Sequence, residues 1–116
     1  MKKAIAVPAL KAVYCPISKI DVHDIRQMYG IYSQYYERTT WDIFLRDLSK
    51  KTGAFLLSCP KEGRIVGFST ILVMDMVVQG EAARGVFSGD TIIEREYWGS
   101  RALQVAFYKF VVLEKL

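Results

Sequence analysis

The chain has 116 residues, about one domain's length, and 52% of them are hydrophobic, which is enough for a packed core and too much for a disordered segment. Sixteen Lys and Arg against twelve Asp and Glu leave a net charge of +4. The basic residues are spread along the chain, a weak field that attracts an anionic small molecule as readily as a nucleic acid, so a dedicated nucleic-acid surface is not favoured.

Met1-Lys2-Lys3 ahead of Ala4-Ile5-Ala6-Val7 mimics the opening of a secretion signal, but Pro8 and Lys11 interrupt the apolar stretch. A short polar lead into a strand is expected, and no run approaches the ~20 apolar residues of a membrane span. Residues 9–17 suit that first strand through Val13, Tyr14 and Ile17, with Pro16 pointing to an edge position. Asp21 is a natural N-cap and Asp24 adds a first-turn carboxylate. Ile25, Met28, Tyr29, Tyr32 and Tyr36 then recur at helical spacing. His23, the chain's one histidine, reads as an exposed first-turn residue. Thr39 or Thr40 caps a second helix with Trp41, Phe44, Leu45 and Leu48 on one stripe, Lys50 and Lys51 at its negative end and Gly53 as C′.

From residue 54 the period changes. Phe55-Leu56-Leu57 reads as a strand, Pro60-Lys61-Glu62-Gly63 as a turn, and residues 65–78 as a long strand whose apolar side chains on both faces call for covering layers on both sides. Gln79-Gly80-Glu81 turns the chain into a further strand over 82–93, where Gly85 and Gly89 mark a bulge or a close backbone approach. Residues 101–116 read as a helix with Leu103, Ala106, Phe107, Phe110 and Val111 on the packed side. Cys15 and Cys59 are far apart with no CxxC pair, so they read as buried thiols in a reducing, cytoplasmic setting, and the sequence gives no support to a metal site. The expectation is one domain over 1–116, α+β or α/β, with a mostly antiparallel sheet and the element order β-α-α-β-β-β-α.

This order, with Ile65-Val66-Gly67-Phe68-Ser69-Thr70 and Ile92-Ile93-Glu94-Arg95-Glu96-Tyr97-Trp98-Gly99-Ser100, resembles the GNAT superfamily of acyl-CoA N-acyltransferases. The first run is similar to the family's third strand. The second is similar to its fourth strand, the connecting turn and the start of the pyrophosphate loop. The resemblance implies acetyl-CoA as co-substrate and an amine acceptor, with backbone N–H groups near Ile92 and Ile93, and at Glu94, holding the thioester and pantetheine arm. It also implies a coenzyme pyrophosphate over the residues Trp98, Gly99, Ser100, Arg101, Ala102 and Leu103. Independently of the name, a helix N-terminus offers unpaired amides and partial positive charge to an anion. Ser100 reads equally well as an ordinary helix cap.

The family's Q/R-x-x-G-x-G/A pattern is degraded, because Trp98 falls at the Q/R position, Arg101 at the first glycine and Leu103 at the small residue. Their side chains obstruct the close backbone approach that glycine permits, unless Arg101 turns outward to pair with phosphate. Asp90 and Glu94 are the candidate bases, with a bulge carboxylate and a strand-end charge as the plainer readings. Tyr29, Tyr32 and Trp41 are candidate walls of an acceptor pocket, or core packing. Family members continue with a further strand, helix and hairpin, so a complete site is expected to draw on a partner chain, an exchanged element or a longer parent protein. The open fourth strand predicts a homodimer. A GNAT-like protein without transferase activity explains the same elements, and an anion- or RNA-binding module rests on the basic excess alone.

Overall fold

Local signals account for the two leading helices in the computed structural model, which describes residues 9–113. β1 (Lys11–Pro16) ends in a short 3₁₀ turn, and α1 (Val22–Tyr35) starts where the Asp21 carboxylate accepts the Asp24 N–H at 2.8 Å. That bond satisfies one of the donors a helix leaves unpaired at its start. α2 (Trp41–Ser49) is capped in the same way by Thr40, whose hydroxyl accepts the Ile43 N–H at 3.2 Å. Met28, Ile31, Phe44 and Leu48 are the residues these helices bury.

Three strands follow: β2 (Gly53–Cys59), β3 (Arg64–Val78) and β4 (Glu81–Ile93). With β1 they form a four-stranded antiparallel sheet in the order β1-β2-β3-β4. β1 and β4 are its edges. The β2–β3 turn closes with the Gly63 N–H donating to the Cys59 carbonyl at 2.8 Å, and Gly63 takes φ 64°, which side chains disfavour.

Strand alternation sorts the sheet residues into two layers. Ala54, Phe68 and Ile92 face α1 and α2, packing with Met28, Ile31, Phe44 and Leu48. Phe55 and Ile71 face the other way, against Leu103, Phe107 and Phe110 of α3 (Ala102–Leu113). Phe55 meets Phe107, Phe110 and Tyr14 edge-on at ring separations of 6.3, 5.6 and 5.5 Å. Burying a ring of this size contributes about 1.5–3 kcal/mol, so this aromatic group is what holds α3 to the sheet.

Several expectations are corrected. Gly53 is not the C′ residue of α2, because the Lys50 and Lys51 N–H groups close that helix onto the Asp47 and Leu48 carbonyls. Gly53 instead opens β2, where the Tyr14 ring occupies the place a Cβ would need. Only the first half of β3 is covered on both faces; Met74 to Val78 are exposed, in a β3–β4 hairpin that carries its apolar side chains into solvent. Val111, expected on the packed side of α3, is exposed. The stretch Ala4–Val7 and the last three residues of the chain lie outside the described residues. Among the described residues no helix is long and apolar enough to cross a membrane.

Candidate functional site

β4 changes character at its bulge. Ser69 pairs with Thr91 and Ile71 with Ser88, so β4 spends one residue more than β3, and Gly89 and Asp90 together face Thr70. Beyond the bulge the Glu94 N–H donates to the Val66 carbonyl at 2.9 Å. Antiparallel pairs alternate, so Gly67–Ile93 and Ser69–Thr91 are non-hydrogen-bonded pairs whose N–H and C=O groups on β4 point outward from the sheet. The 2.8 Å contact between the Ser69 and Thr91 hydroxyls fits that register, in which side chains approach most closely. The expected set of amides at Ile92, Ile93 and Glu94 is therefore corrected. Those of Ile92 and Glu94 belong to the β3 ladder, while Ile93, with Thr91, faces the open edge.

That edge forms the floor of a groove of about 300 Å3 lined by Tyr35, Tyr36, Thr91, Ile92, Ile93 and Trp98. Tyr35 and Tyr36 arrive from the end of α1, and the Tyr35 hydroxyl accepts the Arg95 N–H at 3.2 Å. Trp98 arrives from the turn before α3. Its indole Nε1 donates to the outward Ile93 carbonyl at 2.7 Å, while the ring, 61% exposed, has the Arg95 guanidinium 5.5 Å from its centre. Gly67 is needed opposite, since a Cβ there would stand 2.8 Å from the Ile92 carbonyl oxygen.

The turn into α3 is compact. The Ser100 N–H donates to Tyr97 and the Val105 N–H to Arg101, and the Ser100 hydroxyl accepts the Ala102 N–H at 3.2 Å. Ser100 thus serves its own turn. Leu103 is 8% exposed and points into the core beside Phe55 and Ile71, so its side chain lies away from the turn's outer surface. Gly99 and Arg101 are exposed there, and Ala102 is half-buried against Tyr97. First-turn amides have no intrahelical partner, and those of Leu103 and Gln104 make no other turn or loop bond among the described residues.

The two candidate carboxylates separate sharply. Glu94 is buried, with one oxygen held by Nη1 of Arg64 and the other by Nη2 at 2.9 Å. Arg64 also reaches Glu62 through Nε at 3.0 Å, and Glu62 accepts a bond from the Tyr97 hydroxyl. That hydroxyl's pKa is pushed well above its usual value, chiefly by donating to Glu62, and the Glu62 carboxyl is held below its usual range by Tyr97 and then Arg64. Glu94, expected as a candidate base or else a solvated strand-end charge, is instead paired with Arg64 in a brace tying β4 and the following turn to the β2–β3 turn. Sequence reading missed this brace. Arg64 and Glu94 are thirty positions apart, and nothing local to either residue signals the other.

Asp90 instead stands half-buried beside the bulge, lining a narrow cleft with Tyr32, Phe44, Asp47, Lys51 and Thr70. Burial, and next the Asp90 charge, raise the Tyr32 hydroxyl's pKa. Tyr32 stacks on Tyr36 at 4.6 Å, so a wall of this cleft is in contact with a wall of the edge groove. Tyr29 and Trp41 are not part of it. They meet edge-on at 5.5 Å and line a separate cavity of about 400 Å3 with Arg26 and Gly30. On the α3 side, an apolar groove of about 420 Å3 runs from Ser69 and Thr91 past Leu103 and Phe107 to Val111 and Val112.

The fold is similar to that of a crystal structure of an acetyltransferase from Trypanosoma brucei, with a TM-score of 0.60 over 92% of this chain and 75% of that one, at 13% sequence identity. No protein-family model matches the chain, and no curated protein matches it.

Proposed function

We propose that the chain is a GNAT-like N-acetyltransferase that takes acetyl-CoA as co-substrate and delivers the acetyl group to an amine. One observation carries this reading: the outward backbone of β4 at Thr91 and Ile93 is followed by the turn that opens α3, and Ile93 packs on the cluster that holds Leu103 of that helix's first turn. The similarity in fold to an acetyltransferase supports it. In this reading the pantetheine arm runs along the β4 edge between Tyr36 and Trp98. The pyrophosphate lies at the exposed face of the turn from Trp98 to Leu103, with Arg101 turned outward as its charged partner.

The step is attack of a neutral amine nitrogen on the thioester carbonyl carbon. The C–N bond forms, the C–S bond breaks, coenzyme A leaves as thiolate, and the amine proton passes to the Asp90 carboxylate. The Ile93 N–H is the donor for the developing oxyanion. Glu94, with both oxygens on Arg64, acts by fixing the end of β4. Tyr32 forms a wall toward the acceptor, and Tyr29 with Trp41 mark a more distant part of its path.

A second reading, a GNAT-like protein that does not transfer, is favoured by the Trp98 indole lying on the Ile93 carbonyl. Under the second reading the whole β4 edge suits pairing with a second copy, and under the first its earlier part, residues 81–88, does. Calorimetric titration with coenzyme A and acetyl-CoA separates the two. The transferase reading expects micromolar binding, weakened about tenfold or more by Arg101→Glu, which reverses a phosphate-pairing charge. Absence of binding to the wild-type chain favours the second.

A further inference from the structure

The bulge in β4 leaves one buried polar atom without a protein partner. Thr70 is 2% exposed, and among the described residues no protein group hydrogen-bonds its hydroxyl oxygen. An unsatisfied buried hydroxyl costs about 1–3 kcal/mol, which a folded protein normally avoids. The surroundings show how it is avoided here. A Cβ on Gly89 would stand 2.5 Å from Thr70 Oγ1 and 3.2 Å from Lys51 Nζ, so both polar groups lie close beside Gly89 and a side chain there would displace them. The cleft offers about 10 Å3 to the centre of a water molecule, and the Asp90 carboxylate lines the same space. A buried water needs roughly that room and two to four polar partners.

We propose that this cleft binds one ordered water, donating to Asp90 and bonded to the Thr70 hydroxyl and the Lys51 ammonium, and that Thr70 is thereby a positioning residue for Asp90. The bulge then has a purpose. It brings a β4 carboxylate and a β3 hydroxyl to the same cleft, while Gly89 adds no side chain that would push Thr70 and Lys51 aside. The groups facing Asp90 from the packed elements are Tyr32 of α1, Asp47 of α2 and Lys51 just beyond it. Any consequence for proton transfer rests on the acetyltransferase reading, but the water itself does not, and it is read in the unliganded protein.

The test compares Thr70→Val and Thr70→Ser with the wild-type chain. A hydroxyl bonded to water makes Thr70→Val less stable by about three- to tenfold in the unfolding constant, while an unpartnered one makes the same isosteric change stabilising. Thr70→Ser keeps the hydroxyl but loses a buried methyl, so its stability should fall by about fourfold in the same constant, and its crystal structure should keep the solvent peak that Thr70→Val loses. A high-resolution crystal structure should place a solvent peak within hydrogen-bond reach of Thr70 Oγ1. Thr70→Val proving more stable than wild type, or a wild-type cleft with no solvent peak, would each overturn the proposal.

Discussion

Replacing Arg64 by Met tests whether Glu94 is a brace or a free base. The Glu94 side chain is 12% exposed and that of Arg64 40%, so the pair is lopsided. Removing the arginine strands a carboxylate that water barely reaches. Stranding a fully buried partner costs about 3–5 kcal/mol, an exposed pair is worth only about 0.2–1 kcal/mol, and this geometry falls between, at about 2 kcal/mol. Glu94→Gln leaves Arg64 free to turn to water and to Glu62, and should cost about 1 kcal/mol or less. The double variant removes both charges and should be more stable than Arg64→Met alone, a coupling that only a direct interaction produces. Urea denaturation of the four proteins at pH 7 measures all three differences. The reasoning fails if Arg64→Met unfolds at the wild-type midpoint, or if adding Glu94→Gln to it restores nothing.

The Tyr97 hydroxyl is held above the usual tyrosine pKa of about 10, so its contribution is complete below that pH and is lost as pH rises through the folded value. Melting temperature should therefore fall above about pH 10, and Tyr97→Phe should flatten that limb, leaving the smaller slopes of Tyr14 and Tyr32, whose pKa values also rise. On the acid side the lowered Glu62 contributes above the ordinary carboxylate range and is lost as pH falls through its folded value, a limb that Glu62→Gln should remove in the same melting series. Phe55→Ala opens a cavity beneath Phe107 and Phe110 and should cost about 3–5 kcal/mol, read by denaturant titration. Gly67→Ala brings a Cβ against the Ile92 carbonyl and should cost about 1–3 kcal/mol in the same titration. Light scattering across a concentration series should show a dimer if the β4 edge pairs between copies, and a monomer at high concentration would refute that pairing.

Features governed by near neighbours were legible in the sequence. Asp21 and Thr40 cap helices because the donors they satisfy are three residues away, and the helical stripes of Met28, Phe44 and Leu48 are buried as their spacing implies. Gly85 and Gly89 each carried the signature of a bulge or a close approach, and strand register puts the bulge at Gly89 and leaves Gly85 regularly paired. Gly53 misled because a glycine after a helix has the same local signature whether it ends that helix or begins a strand. What decides is the Tyr14 ring from β1. The exposed half of β3 misled for a related reason: Met74 to Val78 has the composition of a covered strand, and only the sheet's extent shows that no helix reaches it. Of the candidate site, the Ile93–Trp98 proximity followed from chain order. The Arg64–Glu94 pair and the unpartnered Thr70 hydroxyl depend on strand register, which composition does not reveal.

Whether the edge groove is open to a ligand turns on Trp98, and magnitudes decide it. The indole's hydrogen bond to Ile93 closes one outward carbonyl, but the ring is mostly in water with the Arg95 guanidinium over it. Such a bond is worth about 0.5–1.5 kcal/mol net, because the indole N–H exchanges it for water. A ligand of micromolar affinity supplies about 8 kcal/mol, so displacing Trp98 lowers affinity by no more than about tenfold. The Ile93 N–H, which an oxyanion would use, is not the group that Trp98 occupies. An outward-swinging Trp98 widens the groove between Tyr36 and the turn into α3 without disturbing β4, since the Arg64–Glu94 brace holds the strand end independently of the indole. If the chain takes a coenzyme as proposed, Trp98 covers the edge when the chain is alone and yields it at small cost.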